Sequence, residues 1–355
     1  MSPTLTFRKA FDTVSHDFLM YKIRKYGISG NLYNWIQSYL TDRQQRVVFN
    51  GSFSSWQPVT SGVPQGSVLG PLFFNMFVND IPSIFDYSQC LLFADDLKLF
   101  RMVRGPDDAQ LLQEDLDKLS TWSSSWKLTL NPSKCKVLTL TLKKQPVLHT
   151  YELAQTQLER VTNHKDLGIF VDSKLTFTPH IDYIVAKANR MLGIFWRHCT
   201  NLDPKTKQVL YCSLVRPSLE FSSVIPASQD ARIERVQRKF NHFLGNSVDD
   251  ARQTFQLSLD SLKKRRQALD LTFLYKCVNS HFSCNLISLF PLKIPRPNLR
   301  YPDVFYVPNN RVSATKNGFI HRLTSLYNSI SHISPDVDIF QQSLFSFKST
   351  IKQAL

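Results

Sequence analysis

The sequence has no long uninterrupted apolar run and no closely paired cysteines. No run reaches the roughly 18–20 residues that a membrane span needs, and the longest, around GPLFFNMFV, is interrupted by polar residues. The first residues lack the basic segment, apolar segment and cleavage site of a signal peptide. None of the six cysteines forms a C-x-x-C pair, which argues against a disulfide framework. We therefore expect an intracellular protein with reduced thiols and no membrane association.

Internal repeats and low-complexity tracts are also missing. The hydrophobic content of 43% and the aromatic content of 12% exclude a globally disordered chain. A chain of 355 residues is long enough to bury a large core, and one or two domains are expected.

Positive charge is unevenly distributed along the chain. Residues 1–180 have 19 Lys and Arg against 16 Asp and Glu, whereas residues 181–355 have 24 against 12. The formal net charge of +15 therefore lies mostly in the second half. Such an excess suits a polyanion, most simply nucleic acid. A basic surface that only maintains solubility explains the composition about as well.

Two adjacent carboxylates, Asp95 and Asp96, lie inside the apolar stretch LLFADDLKLF. Neighbouring carboxylates in an apolar setting repel each other unless a cation neutralises them or one takes up a proton. The flanking segments CLLFA and LKLF read as two short strands, so the pair is predicted at a hairpin tip. Oxygen ligands suit Mg²⁺. A solvent-facing turn is the alternative, because Asp is common in turns.

Helix and strand patterns alternate in the first half of the chain. Ser15 is placed to cap a helix that ends near Gly27. Asn50–Gly51 lies between two strand-like segments and is a strong signal for a two-residue hairpin. A further helix is predicted to run to about Val78, and another to begin at Pro106.

The second half is predicted to be mainly helical from about Pro179. Lys187 and Arg190 lie on the first of these helices. On a helix beginning near Ala231, positions 232, 235 and 239 share one face by their spacing. This face consists of Arg232, Arg235 and Lys239, and Val236, Phe240 and Phe243 point away from it. The arrangement predicts a basic stripe that meets phosphates, with an ordinary solvated helix face as the alternative.

Five segments occur in a fixed order: KAFDTVSH, SGVPQGSVLGPLFFNMFVNDI, FADD, LNPSKCKVL and HKDLGIFVD. Together they resemble the reverse transcriptase of non-LTR retrotransposons, in particular the jockey-like group. Later segments, including LYCSLVRPSLEFSS and SLFSFKSTIKQAL, extend the resemblance over essentially the whole chain. It implies an α+β fold with a palm of antiparallel strands and packed helices in residues 1–178. A helical thumb and connection would occupy residues 179–290, and a C-terminal segment residues 291–355.

The resemblance implies RNA-directed DNA synthesis with Mg²⁺ and deoxynucleoside triphosphates on an RNA template and a DNA primer, in the nucleus and cytoplasm. Asp95 matches a ligand of two catalytic Mg²⁺ ions, and Asp96 lies beside it. Lys134 matches a lysine that meets the triphosphate or protonates pyrophosphate. An exposed lysine without a role is the alternative for Lys134.

Other positions match residues that contact nucleotide or nucleic acid in this family. Phe11 matches the aromatic residue under the sugar of the incoming nucleotide, with core packing as the alternative. Gln65 matches a contact to the template–nucleotide pair, and Gly66 would allow a close backbone approach beside it. Leu167 and Gly168 match the primer-grip turn.

One position departs from the family pattern Asp-Phe-x-Lys-Ala-Phe-Asp. This chain reads TFRKAFD, with Thr6 where the family has its other shared metal ligand. Asp12 follows six residues later, up to about 20 Å away along an extended strand, so it is a poor replacement. The family also has a fingers region and an endonuclease domain before this motif. We therefore expect a truncated or catalytically impaired copy. The alternatives are a non-catalytic nucleic-acid-binding protein and a gene fragment without a selected role.

Overall fold

The computed structural model of the chain describes residues 1–224, 230–245, 259–282, 286–294, 303–307 and 318–355. These residues form an α+β protein with two compact units, Met1–His164 and Lys165–Leu355. The α+β class expected from the sequence is confirmed. The finer division into segments 1–178, 179–290 and 291–355 stays a prediction, and residues 295–302 and 308–317 of the last segment lie outside the described residues.

A five-stranded sheet is the centre of the first unit. The strands of the described residues are β1 (Ser2–Thr6), β2 (Gln44–Gln45), β3 (Val48–Phe49), β4 (Ser52–Phe53), β5 (Gln57–Pro58), β6 (Gln89–Phe93), β7 (Asp96–Phe100), β8 (Lys136–Leu138), β9 (Glu152–Leu153), β10 (Thr156–Gln157), β11 (Glu159–Val161), β12 (Asn163–Asp166) and β13 (Ile169–Asp172). The sheet order is β11-β8-β1-β7-β6. β1 therefore lies in the middle, antiparallel to both β7 and β8.

The two faces of this sheet differ in burial. Leu5 on β1 and Leu97 on β7 are fully buried, while their neighbours Thr6 and Asp96 are half-buried. This alternation follows from the strand period of two, which sends successive side chains to opposite faces. One face packs on the core, and the other presents polar side chains.

Helices cover the apolar face of the sheet. Those of the first unit are α1 (Ala10–Thr13), α2 (His16–Lys25), α3 (Gly30–Leu40), α4 (Leu69–Val78) and α5 (Pro106–Ser125). The predicted cap of α2 is confirmed, because the Ser15 side chain accepts from the backbone N–H of Phe18. Phe74 of α4 and Leu112 and Leu116 of α5 join Leu5 and Leu97 in one core.

The predicted hairpin at Asn50–Gly51 is also confirmed. β3 and β4 pair directly around it, and both turn residues have positive φ, 47° and 79°. This is the backbone of a type I′ turn, which Asn-Gly favours.

The second unit is mainly helical within the described residues. Its helices are α6 (Thr178–His198), α7 (Pro204–Leu210), α8 (Arg216–Glu220), α9 (Asp230–Gly245), α10 (Leu262–Val278), α11 (Phe319–Ile333) and α12 (Leu344–Ala354). They bury two apolar clusters. One joins α6 and α9 through Ile184 and Phe240, and the other joins α10, α11 and α12 through Leu274, Tyr327 and Phe347.

In the parts of the chain that the structure describes, no helix is both long and apolar enough to cross a bilayer.

Candidate active site

Thr6 and Asp96 face each other across two neighbouring strands. The pairing of β1 with β7 sets Thr4 opposite Lys98, Leu5 opposite Leu97 and Thr6 opposite Asp96. Residues directly opposite in an antiparallel pair have Cβ atoms about 4.5–5.5 Å apart and point to the same face. The buried Leu5–Leu97 pair fixes this register, because a slip of β7 by one residue would turn Leu97 away from the core.

Asp95 lies in the turn that joins β6 to β7. Phe93 and Asp96 close the hairpin as a cross-strand pair, which leaves Ala94 and Asp95 as a two-residue turn. Ala94 has a φ of 51°, where type II′ turns normally have glycine. The predicted hairpin tip is confirmed, with the difference that Asp96 is the first residue of the strand. Asp95 therefore projects from the tip, and Asp96 from the ladder.

The segment that contains Lys134 lies on the other side of Thr6. The backbone N–H of Asn131 donates to the carbonyl of Thr6 at 2.9 Å, and the thiol of Cys135 lies 3.9 Å from the same oxygen. Lys134 is exposed on the turn between them. The end of β1 thus has Asp96 on one side and the lysine-bearing turn on the other.

Phe11 stacks on Phe74 of α4, with ring centroids 4.4 Å apart and an interplanar angle of 20°. The Phe11 ring is half-buried, so packing accounts for one of its faces and leaves part of the ring accessible. The core-packing alternative and the sugar-contact role are both compatible with this arrangement. The role under the nucleotide sugar stays a prediction.

The loop SGVPQG is fastened to α1. The backbone N–H groups of Gly62 and Val63 donate to the carbonyls of Val14 and Phe11, each at 2.8 Å. The side chain of Gln65 donates from Nε2 to Oδ1 of Asp12 at 2.7 Å. Gln65 is exposed, so the hydrogen bond to Asp12, rather than packing in the core, orients its side chain.

The two glycines of this loop, Gly62 and Gly66, differ in the space around them. Gly66 has a φ of 80°, and no protein atom lies within 4 Å of where its Cβ would be. A close approach within the protein occurs instead at Gly62, whose Cβ would meet the backbone of Phe11 and Asp12 at 2.8 Å. Gly62 is not among the residues predicted from the sequence. The available signal was its place in a short loop, four residues before Gly66.

The acidic residues here do not form a complete metal centre. Within the described ranges, no group of three or more His, Cys, Asp or Glu side chains is arranged to hold a metal ion. Asp12 bonds to Gln65 and supplies no third carboxylate. The donors at the end of β1 are therefore two carboxylates and the neutral hydroxyl of Thr6, a set that does not fit the two-metal centre implied for Mg²⁺.

Comparison with known families identifies the family of the chain. The sequence model of "Reverse transcriptase (RNA-dependent DNA polymerase)" matches residues 4–194, which include every residue of the site described above. The chain belongs to this reverse transcriptase family. It contains a reverse transcriptase domain similar to those of non-LTR retrotransposon RNA-directed DNA polymerases.

Individual relatives support this membership. The chain is 32% identical over 251 residues to the probable RNA-directed DNA polymerase from transposon BS of Drosophila melanogaster, covering 66% of this chain and 28% of that protein. It is 33% identical over 219 residues to the polymerase from mobile element jockey of the same species, covering 59% and 23%. The chain thus spans about a quarter of the length of these relatives.

Two solved telomerase structures align with the chain at low similarity. The telomerase of Candida albicans with a fragment of telomeric RNA covers 77% of this chain and 42% of its own, at 13% identity and a TM-score of 0.37. The corresponding Candida tropicalis structure covers 100% and 49%, at 11% identity and a TM-score of 0.36.

The predicted primer-grip residues of the reverse transcriptase form a tight turn in the second unit. Leu167 and Gly168 join β12 to β13 with φ of 44° and 88°, the backbone of a type I′ turn. A Cβ on Gly168 would contact the ring of Phe221 at 3.4 Å. Leu167 is exposed. Their contact with a primer stays a prediction.

Two cations of the predicted basic stripe already bind side chains of a neighbouring helix. Arg232 on α9 forms an ion pair with Asp182 on α6, and Lys239 donates to Asn189 at 3.2 Å. Arg235 is exposed. Val236 and Phe240 are buried as expected. Arg232 and Lys239 therefore help to join α9 to α6, because these two helices pack side by side.

The predicted cations of α6 itself point outward. Lys187 and Arg190 are both exposed, whereas Ile184, Ala188 and Leu192 of the same helix are buried. These two side chains and Arg235 are exposed cations of the predicted nucleic-acid set.

Proposed function

We propose that this domain holds an RNA template with its DNA primer but adds nucleotides poorly, because its metal centre is incomplete. The observation that carries the proposal is the position of Thr6 directly opposite Asp96. A threonine hydroxyl is neutral and does not bridge two divalent cations as a carboxylate does. In polymerases of this chemistry, two metals stabilise the attacking and leaving oxygens, and loss of several kcal/mol of that stabilisation slows the reaction by about 10³-fold or more.

The rest of the site supports binding of nucleotide and template. Gln65 is oriented by Asp12, and Gly66 leaves open space beside it, as a template–nucleotide pair would require. Phe11 stacks on the buried ring of Phe74, and we propose that its accessible part lies under the nucleotide sugar. Exposed Lys134 is proposed to meet the triphosphate.

The second unit supports binding of the nucleic-acid backbone. We assign this role to the exposed residues Lys187, Arg190 and Arg235, and the primer-grip role to Leu167 and Gly168. Arg232 and Lys239 contribute less, because each already has a protein partner. We further propose that the protein acts in the nucleus and cytoplasm, where such a domain meets its template and primer.

The direct test restores the carboxylate. Thr6→Asp should create a third acidic ligand beside Asp95 and Asp96, and Mn²⁺ binding measured by electron paramagnetic resonance should become tighter. Changing a residue that only orients a metal ligand alters metal affinity 10- to 100-fold, so we expect at least about a tenfold gain from a new ligand. Thr4→Asp is the matched control, since Thr4 is on the same face of β1 but lies opposite Lys98.

Two readouts separate the parts of the proposal. Primer extension on an RNA template with Mg²⁺ should be absent in the unchanged protein, and adding Asp95→Asn to Thr6→Asp should remove the gain in Mn²⁺ affinity. Strong extension by the unchanged protein would show that Thr6 is no obstacle. Equal Mn²⁺ affinities of the Thr6→Asp and Thr4→Asp proteins would show that position 6 does not belong to a metal site.

A further inference from the structure

Helix α12 has two different faces. Phe347 and Ile351 are 0% and 1% exposed and pack into the cluster that joins α10, α11 and α12. Phe345 is 86% exposed, although it lies only two residues from Phe347. The core therefore accounts for Phe347 and leaves Phe345 without a packing role within the described residues.

Two lysines continue the outward face of α12. Phe345, Lys348 and Lys352 are spaced i, i+3 and i+7, so they lie along one side of the helix. All three side chains are exposed. The Ser343 side chain accepts from the N–H of Ser346 and caps the helix two residues before Phe345, which holds the ring on an ordered element.

A cleft of about 270 Å³ lies between helices α10 and α12. We call it the α10–α12 cleft. Lys348 and Lys352 line it, whereas Phe345 lies outside the lining, one turn before Lys348 on the same face of α12. Its floor includes Ala268, Leu269 and Ile351, and Lys264 stands on its α10 side opposite Lys348 and Lys352. An apolar floor between lysines offers both a surface for a flat ring and charges for an anionic chain.

The cleft is strongly basic. Among the described residues, no acidic side chain forms an ion pair with Lys264, Lys348 or Lys352. Asp260 is the acidic residue of the lining. Arg265 also lines the cleft, but it is held by an ion pair with Glu220. Three lysines are therefore available to an anionic ligand.

We propose that the α10–α12 cleft binds single-stranded nucleic acid. A base stacks on the exposed ring of Phe345, next to the cleft, and the adjoining phosphates enter the cleft along Lys348, Lys352 and Lys264. Aromatic stacking with lysines along the backbone is the usual way in which proteins bind single strands without sequence preference. Bases in a duplex are already stacked on each other, so the surface favours an unpaired strand. The proposal is independent of metal binding and of nucleotide addition.

Two variants of the full chain test the two components. One is Phe345→Ala, and the other replaces Lys264, Lys348 and Lys352 with Gln. Binding of a fluorescein-labelled single-stranded RNA of mixed sequence is measured by anisotropy at several salt concentrations, without divalent metal or nucleotides. Phe345→Ala should weaken binding about 5- to 100-fold. The lysine variant should flatten the slope of log K against log salt by about two units, at roughly 0.7 per phosphate contact.

Matched controls come from the same chain. Phe340→Ala removes another exposed ring, and the triple change of Lys143, Lys174 and Lys205 to Gln removes the same charge from exposed positions elsewhere. Both controls should retain the RNA affinity and the salt slope, apart from a small general loss. The affinity for a blunt RNA–DNA hybrid should change less than twofold in Phe345→Ala.

Three results would overturn the proposal. Unchanged RNA binding by both variants, with native circular dichroism, would exclude the strand and leave the cleft to an acidic protein segment. An effect of the lysine change without an effect of Phe345→Ala would mean that the surface is a general cation patch and that no base stacks there. Equal losses in the control lysine variant would mean that net charge alone is responsible.

Discussion

The backbone of Gly62 lies directly against the backbone of Asp12. A Cβ on Gly62 would come within 2.8 Å of the Asp12 Cα and carbonyl oxygen, and the Gly62 N–H donates to Val14. This contact fastens the loop that contains Gln65 to the end of α1. Gln65 in turn donates to Asp12, so the loop and α1 position each other.

Gly62→Ala should destabilise the first unit far more than Gly66→Ala. Both glycines have positive φ, 89° and 80°, so both substitutions incur the cost of a left-handed alanine, about 1–2 kcal/mol. Only Gly62→Ala adds a clash with backbone, which brings the expected loss to about 3 kcal/mol or more. Urea unfolding followed by tryptophan fluorescence measures the difference. Equal losses of unfolding free energy in the two variants would show that the backbone near Asp12 can move to make room for a Cβ at position 62.

Asp270 should make the second unit more stable in mild acid. The carboxyl is 4% exposed, and burial raises its pKa to about 6, although Arg322 and Arg266 oppose the shift. The folded state therefore binds a proton that the unfolded state has already lost between pH 4 and pH 6. Stability from this group is present below about pH 4 and falls as the pH rises to about 6, by roughly 3 kcal/mol in total.

The difference in unfolding free energy between wild type and Asp270→Asn isolates this effect from other carboxylates. From pH 4 to pH 7 it should shift against wild type by roughly 3 kcal/mol. Arg322→Met should extend the decline to higher pH, because Arg322 forms an ion pair with Asp270 at 3.2 Å and lowers its pKa. A pH-independent difference would contradict the assignment to Asp270.

Arg235 and Arg232 should differ in their effect on nucleic-acid binding, although both lie on α9. Arg235 is exposed, whereas Arg232 is held by Asp182. Arg235→Gln should flatten the salt dependence of RNA–DNA hybrid binding by nearly one unit, the contribution of about one phosphate contact. Arg232→Gln should change it less, because the charge that it removes is already paired. Anisotropy titrations at several salt concentrations compare the two, and identical slopes would remove Arg235 from the binding surface.

Several local features were predictable because neighbouring residues encode them. Asn50–Gly51 specifies its own turn, since both positions tolerate positive φ. Ser15 caps α2 through a hydrogen bond three residues away. The FADD segment was correctly placed at a hairpin tip, because two apolar strands can only reverse direction there. The order of the motifs pointed to the reverse transcriptase family, which the family match confirmed.

The sequence by itself therefore determined the family, the α+β class and the identity of the atypical residue Thr6. Only the tertiary structure decided what Thr6 faces, since the register with Asp96 is fixed by burial of Leu5 and Leu97, 92 positions apart in the chain. It also decided that Arg232 meets Asp182 and that Phe345 points outward while Phe347 is buried. Helical spacing shows which residues share a face, but it does not show which face meets a neighbouring helix, because that depends on long-range packing.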